Sequence, residues 1–281
     1  MSTAGRIEAV LESKYTMEGA GVRLRRVFAN REAHLMDPFL LLDHFGSDDP
    51  DDYLAGFPWH PHRGIETITY MLEGEVEHGD SLGNRGTIAS GDIQWMTAGS
   101  GIIHQEMPQR YGGTLRGLQL WANLPASDKM MSPRYRDISA QQVPEVNLDG
   151  AHIKVIAGEL QGTRGAVGDI IIDPTYLDVN MPPGASLVLP VKEDHTAFAF
   201  IVEGEGFFGN EAQPVSADHL ALCVDGDTVS VATRSHPARF IFVTGKPLRE
   251  PIAWGGPIVM NTEEELEQAF REYREGTFIK G

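Results

Sequence analysis

The chain has 281 residues, 41% of them hydrophobic, enough for one large or two ordinary domains with a real core. Its formal net charge of -17 repels nucleic-acid backbones and anionic membrane surfaces, so neither is expected as a direct partner. The single cysteine, Cys223, excludes an intramolecular disulfide and any cysteine-built zinc or iron-sulfur centre, so a metal site here must use nitrogen and oxygen.

The start, Met1 to Arg6, runs into Glu8 and Glu12 without the apolar stretch of a secretory signal, and no long uncharged apolar segment follows. A cytoplasmic setting is expected, with a nuclear one open for a eukaryotic source. Val22 to Val27 alternates as a half-buried strand should, and Phe39 to Leu42 is a buried apolar run. The acidic stretch Ser47 to Asp52 lacks the glycine and terminal glutamate of a calcium loop and reads as a solvated loop. Asp43-His44 reads as rim support or as a structural hydrogen bond.

Chemistry concentrates between Gly56 and Met107. Short runs at Thr67 to Leu72, Gly83 to Gly86 and Ile93 to Met96, cut by glycine turns, read as antiparallel strands of a small barrel with ligands at their rims. Residues two apart in a strand share a face and lie roughly 6.6 Å apart along it. His60 and His62 can therefore aim at one ion, as can His104 and Glu106 from a neighbouring strand. Glu66 shares the parity of His60 and His62 and competes with Glu106 for the fourth position. Three neutral imidazoles and one carboxylate leave a divalent ion with a charge of about +1, attractive to an enolate or phenolate. Iron(II), which takes six ligands, keeps two positions for substrate and dioxygen; manganese, cobalt, nickel and copper accept the same donors. Phe57, Trp59, Trp95, Met96 and Trp121 are candidates to wall a pocket for a flat aromatic ligand, against the plainer reading as core. His78, in Glu77-His78-Gly79-Asp80, reads as an exposed turn residue.

Ile68 to Glu75 recurs as Phe198 to Glu205, an offset of 130 residues, and each copy runs into a Gly-containing turn. Such repetition points to an all-β chain of two related barrels or sandwiches. Pro125 to Pro144 has linker composition, which places the boundary between 1-132 and 133-281. At the same offset His60 and His62 correspond to Pro190 and Lys192, and the second pair falls near Arg234 and His236, so the second barrel is expected to be metal-free. His195 and His219 read as structural. Gly204 to Gly209 matches a dinucleotide-binding string, but no helix follows it. Cys223 lies in an apolar strand as a buried thiol. Thr262 and Glu265 form a capping box for a helix carrying Leu266, Phe270 and Tyr273 on one face and ending near Gly276.

The stretches His60 to Tyr70, Gly91 to Gly99, Ile103 to Pro108 and Leu118 to Pro125, with Pro247 to Pro251 and Met260 to Glu264, resemble the pirin family of bicupins over nearly the whole chain. The resemblance implies two cupin (double-stranded β-helix, jelly-roll) barrels with a short C-terminal helix. It also implies iron in the first barrel, held by His60, His62, His104 and Glu106. Glu66 becomes a candidate for a supporting role around those ligands. The general cupin pattern would instead use Glu66 as a ligand, with a proline where this chain has Thr97. The implied activity is that of a quercetin 2,3-dioxygenase, with a flavonol and O2 as substrates, carbon monoxide as a product and Glu106 as ligand and proton acceptor. The alternative implied role is an iron-containing redox sensor that binds a regulatory protein partner. A monomer is expected.

Overall fold

The computed structural model describes residues 4–209 and 211–280. Contacts divide it into two compact units: Lys14–Ala140 with Leu248–Gly281, and Gln141–Pro247 with the N-terminal stretch through Ser13. The first strand, β1 (Arg6–Glu12), therefore belongs to the second unit. The first unit begins with β2 (Lys14–Glu18), β3 (Val22–Phe28), the one-turn helix α1 (Ala33–Met36) and β4 (Phe39–Ser47). Next come β5 (Phe57–His62), β6 (Ile65–Glu73), β7 (Glu75–Asp80) and β8 (Arg85–Ala89). Strands β9 (Ile93–Thr97), β10 (Ile102–Pro108), β11 (Leu115–Asn123) and β12 (Arg134–Ile138) complete its barrel.

Seven strands form one antiparallel sheet in the order β12-β9-β6-β11-β4-β3-β2, and four form another in the order β5-β10-β7-β8. Central strand β6 shows why the first sheet needs cover on both sides. Glu66, Ile68 and Tyr70 point to one face, Thr67, Thr69 and Met71 to the other, and all six are buried. Met71 packs with Val22, Leu24, Phe45, Tyr53, Val76, Ile88 and Leu115 to close one end of the barrel. Each large side chain of that kind contributes roughly 1.5–3 kcal/mol when fully buried.

Two buried cations tie the barrel's histidine-bearing end together. Arg63 directs Nε to the Ser100 carbonyl at 2.7 Å and a terminal nitrogen to the Phe278 carbonyl at 2.8 Å. Its other terminal nitrogen meets Glu272 at 2.8 Å, and the guanidinium lies 4.2 Å over the Phe278 ring. Lys129 Nζ spends its three N–H groups on the carbonyls of Gly64 (2.9 Å) and Val259 (3.0 Å) and on Asn123 Oδ1 (2.7 Å). Between them stands Gly64 at φ 78°, where a Cβ would collide with the Val259 carbonyl, so both the conformation and the close approach need glycine.

The second unit contains β13 (Glu145–Leu148), β14 (Ala151–Ala157), β15 (Glu159–Leu160), β16 (Thr163–Arg164) and β17 (Thr175–Met181). It continues through β18 (Ser186–Pro190), β19 (Thr196–Phe208), β20 (Val215–Ser216), β21 (His219–Val224), β22 (Thr228–Ala232) and β23 (Ala238–Gly245). Its main sheet runs β1-β21-β19-β23-β17-β14-β13, and β22 links β19 to β18. An aliphatic and aromatic core fills it, including Phe208, Phe240 and Phe242. The chain then returns to the first unit with β24 (Ala253–Gly255), β25 (Ile258–Met260) and α2 (Glu263–Glu275). Helix α2 starts on the Thr262–Glu265 capping box and stops at Gly276, φ 74°; Leu266 and Ala269 are buried beside Ile258, Met260 and Phe278.

The fold is thus mostly β with two cupin-type units and one C-terminal helix, as the family resemblance implies. The division differs from a single cut at 132/133: the mid-chain change falls between Ala140 and Gln141, which leaves β12 in the first unit, and both ends cross over. β1 takes the free edge of β21, and α2 covers β24–β25 in the first unit. Linker composition marks where the chain changes barrels in its middle, but it says nothing about which edge a terminal strand pairs with. Among the described residues no helix is long and apolar enough to cross a membrane.

Replacing Arg63 with Met removes three polar contacts and leaves the Ser100 and Phe278 carbonyls without this donor, while Glu272 keeps Lys280 at 2.7 Å. Leaving a buried acceptor unsatisfied costs about 1–3 kcal/mol. Urea unfolding should show a destabilisation of that order, and an unchanged midpoint would refute the clamp. The Cys223 thiol is buried, and burial pushes its pKa up to about 12. Native protein at pH 8 should therefore resist a thiol reagent that labels the urea-unfolded chain at one equivalent.

Candidate metal centre

β10 lies between β5 and β7, and its register sets the site. His104 pairs with His60 on one side and Asp80 on the other; Glu106 pairs with Phe57 and His78. From His104 to Glu106 is two steps on β10 but three on β5, so β5 carries a bulge at Pro58-Trp59 that bends it at the site. Alternation sends Trp59 outward, half exposed, and His60 inward. His60, His62 and His104 then converge, one ring nitrogen of each lying within 4.8 Å of the others. Ring centroids are 4.4 Å (His60–His104), 4.8 Å (His60–His62) and 5.0 Å (His62–His104) apart.

The hydrogen bonds around these rings fix their tautomers. His60 Nδ1 lies 2.8 Å from the Pro58 carbonyl and His62 Nδ1 2.9 Å from the Pro257 carbonyl. A carbonyl only accepts, so each Nδ1 carries the hydrogen and each Nε2 presents a lone pair. Those two Nε2 atoms are 3.1 Å apart. Two lone pairs face one another there unless something positive stands between them. Burial holds both rings below the ordinary histidine pKa, His62 down to about 3, which disfavours a proton in that role. His104 is fully buried and neither ring nitrogen has a hydrogen-bond partner; burial, then the neighbouring His62 and His60, keep it neutral. Orphaned buried nitrogens of this kind are costly in a dry interior and are accounted for by a cation. The residues fit a divalent metal bound through neutral imidazoles.

Glu106 stands on the same face of β10 but outside that 4.8 Å group. Its Oε1 accepts from the Thr69 hydroxyl at 2.9 Å, and Thr69 Oγ1 is 2.6 Å from Gln119 Oε1. Burial outweighs the Thr69 bond and raises the Glu106 carboxyl to about 7. Glu106, His60 and His62 form part of the wall of a cavity of about 650 Å³, with Phe57, Leu41, Trp121 and Trp254 as its flat and apolar surfaces. Its polar side holds Gln119, Asp43 and Arg26. Arg26 grips Asp43 through two bonds of 2.9 and 2.8 Å and reaches Glu18 at 2.7 Å.

Among the other candidates, Phe57 and Trp121 line the cavity, whereas Trp95 and Met96 do not. Met96 packs among Leu40, Ile65, Ala98 and Ile102, and Trp95 lies buried across from Ile68. Trp59 borders a shallow depression on the outer side of the four-stranded sheet. Glu66 is also set apart: it accepts from Thr97 at 2.6 Å on the face of β6 opposite Thr69. Its parity with His60 and His62 is lost because the turn at Gly64 carries the chain from one sheet into the other. His78 is a correction of the opposite kind. It is buried in β7, 5.3 Å from the His104 ring and 4.9 Å from Tyr135, not exposed in a turn. The alternation of Val76, His78 and Asp80 was the available signal, masked by Gly79-Asp80. Asp43 bonds Arg26, as a structural hydrogen bond would.

A β-barrel with imidazoles converging on one wall of a cavity, followed by a second barrel of like construction, defines a bicupin protein. The Pirin family domain matches residues 21–122 and the Pirin C-terminal cupin domain residues 176–279. The chain belongs to the pirin family. It is 44% identical over 271 residues to a pirin-like protein of Caulobacter vibrioides, covering 96% of this chain and 97% of that one. In structure it is similar to quercetin 2,3-dioxygenase from Acinetobacter baumannii, with a TM-score of 0.91, 34% identity, and 98% and 99% of the two chains covered. The fold also resembles that of a bacterial pirin from Escherichia coli solved in complex with nickel(II), with a TM-score of 0.66, 21% identity, and 85% and 99% covered.

Binding to the folded protein alone stabilises it by RT ln(1 + [L]/Kd), about 2.7 kcal/mol at one hundred times Kd. Nickel(II) added to metal-stripped protein should therefore raise the thermal midpoint, and His104→Ala should abolish the rise. A rise of equal size in the variant would place the metal elsewhere.

Proposed function

We propose that this protein is a metal-dependent dioxygenase of the quercetin 2,3-dioxygenase type, opening the heterocycle of a flavonol-like substrate with O2 and releasing carbon monoxide. The observation that carries this reading is the pair of opposed, part-buried Nε2 lone pairs at the wall of a cavity with flat aromatic surfaces. Similarity to the A. baumannii quercetin 2,3-dioxygenase supports the substrate class.

His60, His62, His104 and Glu106 would hold one divalent ion, with iron(II) as the assignment and manganese, cobalt, nickel and copper compatible with the same donors. When bound, the ion supplies Lewis acidity at the flavonol's 3-hydroxyl oxygen and open coordination positions. The protein's own part is placement and proton handling. Phe57, Trp121 and Trp254 offer faces against which a planar ring system lies, and they keep water from the reacting edge. Glu106, at the cavity wall beside the histidines, accepts the proton that the 3-hydroxyl gives up. Backbone carbonyls of Pro58 and Pro257 hold His60 and His62 in the tautomer that leaves Nε2 free.

The test is aerobic loss of quercetin absorbance with carbon monoxide detection, on protein of assayed metal content beside a His104→Ala control. Turnover should follow metal occupancy and fall at least a hundredfold in the control, the scale of about 2.7 kcal/mol in activation free energy. Fully iron-loaded protein without turnover would overturn the reading and leave the redox-sensing role with a protein partner in its place.

A further inference from the structure

Thr69 is flanked by two oxygens. The Glu106 carboxylate oxygen lies at 2.9 Å and the Gln119 side-chain oxygen at 2.6 Å. A threonine hydroxyl has one hydrogen and cannot donate to both. A carboxylate that ligates a metal is ionised and accepts only, so the hydroxyl proton belongs to Glu106. The Gln119 amide then has to turn its NH2 toward Thr69, an exchange of its oxygen and nitrogen that leaves every heavy atom in place. The result is a directed chain: Gln119 donates to Thr69, and Thr69 donates to Glu106 Oε1, leaving Oε2 outside that bond.

Strand register makes this chain rigid. Gln119 on β11 is paired directly with Thr69 on β6 and with Asp43 on β4, and Asp43 is paired with Arg26 on β3. One polar row thus crosses four neighbouring strands of the seven-stranded sheet. The pair of Arg26–Asp43 hydrogen bonds closes one end, and Thr69 reaches across to β10 of the other sheet at the other. Thr69 is 2% exposed and its bond to Glu106 is buried, at the cavity wall that both residues help to line. Gln119 is half-buried and lines the cavity.

We propose that Thr69 and Gln119 are positioning residues for Glu106: the cavity-lining amide sets the direction of the Thr69 hydroxyl, and the hydroxyl fixes the carboxylate in the orientation from which it serves the metal. This rests on Glu106 being the fourth ligand, as proposed above. Loss of a group that orients a ligand typically costs about 10–100-fold in metal affinity.

The experiment uses metal-stripped full-length protein, cobalt(II) and nickel(II) as probes, affinity by chelator competition, and the visible spectrum of the cobalt form as a signature of coordination. Thr69→Val keeps the shape and removes the hydroxyl. It should weaken nickel binding about tenfold or more and move the cobalt spectrum toward that of Glu106→Gln. Thr69→Ser, which keeps the donor, should restore both. Gln119→Met, on the cavity wall, should shift the spectrum in the same direction as Thr69→Val and covers the case in which that variant does not fold. Wild-type affinity and spectrum in Thr69→Val, or in Gln119→Met if that variant alone folds, would overturn the proposal. Glu106→Gln separates the two readings. If it too behaves as wild type, the ligand assignment falls and this proposal with it; if it loses affinity while the Thr69 and Gln119 variants do not, only the positioning role falls.

Discussion

Two backbone carbonyls govern the first barrel's chemistry. By accepting from Nδ1 of His60 and His62, Pro58 and Pro257 leave the Nε2 lone pairs opposed at 3.1 Å in a place where burial resists protonation. Such an arrangement is unfavourable by itself, and so is a His104 ring with no partner for either nitrogen. The stability of the surrounding sheets offsets that cost. The strain lies in polar groups with defined directions, which is the form a cation can relieve.

Holding that arrangement requires rigid supports, and the sequence places them immediately beside the histidines. Arg63 follows His62 directly and bonds the Ser100 carbonyl, ahead of β10, so one guanidinium ties the ends of both histidine-bearing strands. Its other bonds reach Phe278 and Glu272, which explains why the last segment of the chain belongs to the first unit. Lys129 repeats the logic from the far side of Gly64, joining that turn to β25. Pro257, which sets the His62 tautomer, lies in the turn just before β25. The C-terminal segment is thus part of the site's construction as well as cover for the barrel.

What the sequence disclosed follows the range of each interaction. The meeting of His60, His62 and His104 was legible because strand period is local, with Glu106 on the same face as His104 but outside their cluster, and the α2 capping box because a cap is set within four residues. Parity failed wherever the chain changed sheets: Glu66 kept the right count from His62 but lay beyond the Gly64 turn, on a face bonded to Thr97. His78 was hidden because Gly79-Asp80 imitates a turn while continuing β7. Thr69 and Gln119 carry no motif at all. Their relation is a cross-strand register between segments fifty residues apart, and the tautomer-setting carbonyl of Pro257 is 195 residues from His62. Neither separation leaves a trace in local pattern.

The second unit builds its barrel with different side chains at the positions matching the first unit's histidines. It repeats the strand-and-turn unit, with Phe198 to Glu205 in the place of Ile68 to Glu75, and builds a core of comparable kind. At the positions matching His60 and His62 stand Pro190, closing β18, and Lys192, paired with Asp173. His195 and His219 are present but dispersed, His219 bonding the Ala217 carbonyl two residues away. A barrel supplies inward-facing positions at fixed spacing, and a site arises where several of those positions hold donors with no better partner than an ion. In the first unit Nε2 of His60 and of His62 and both ring nitrogens of His104 meet that condition, whereas Glu106 Oε1 has a partner, Thr69. That difference in environment suits different tasks: burial keeps the imidazoles neutral, while the carboxylate sits where the polar row of paired residues across the sheet meets the cavity.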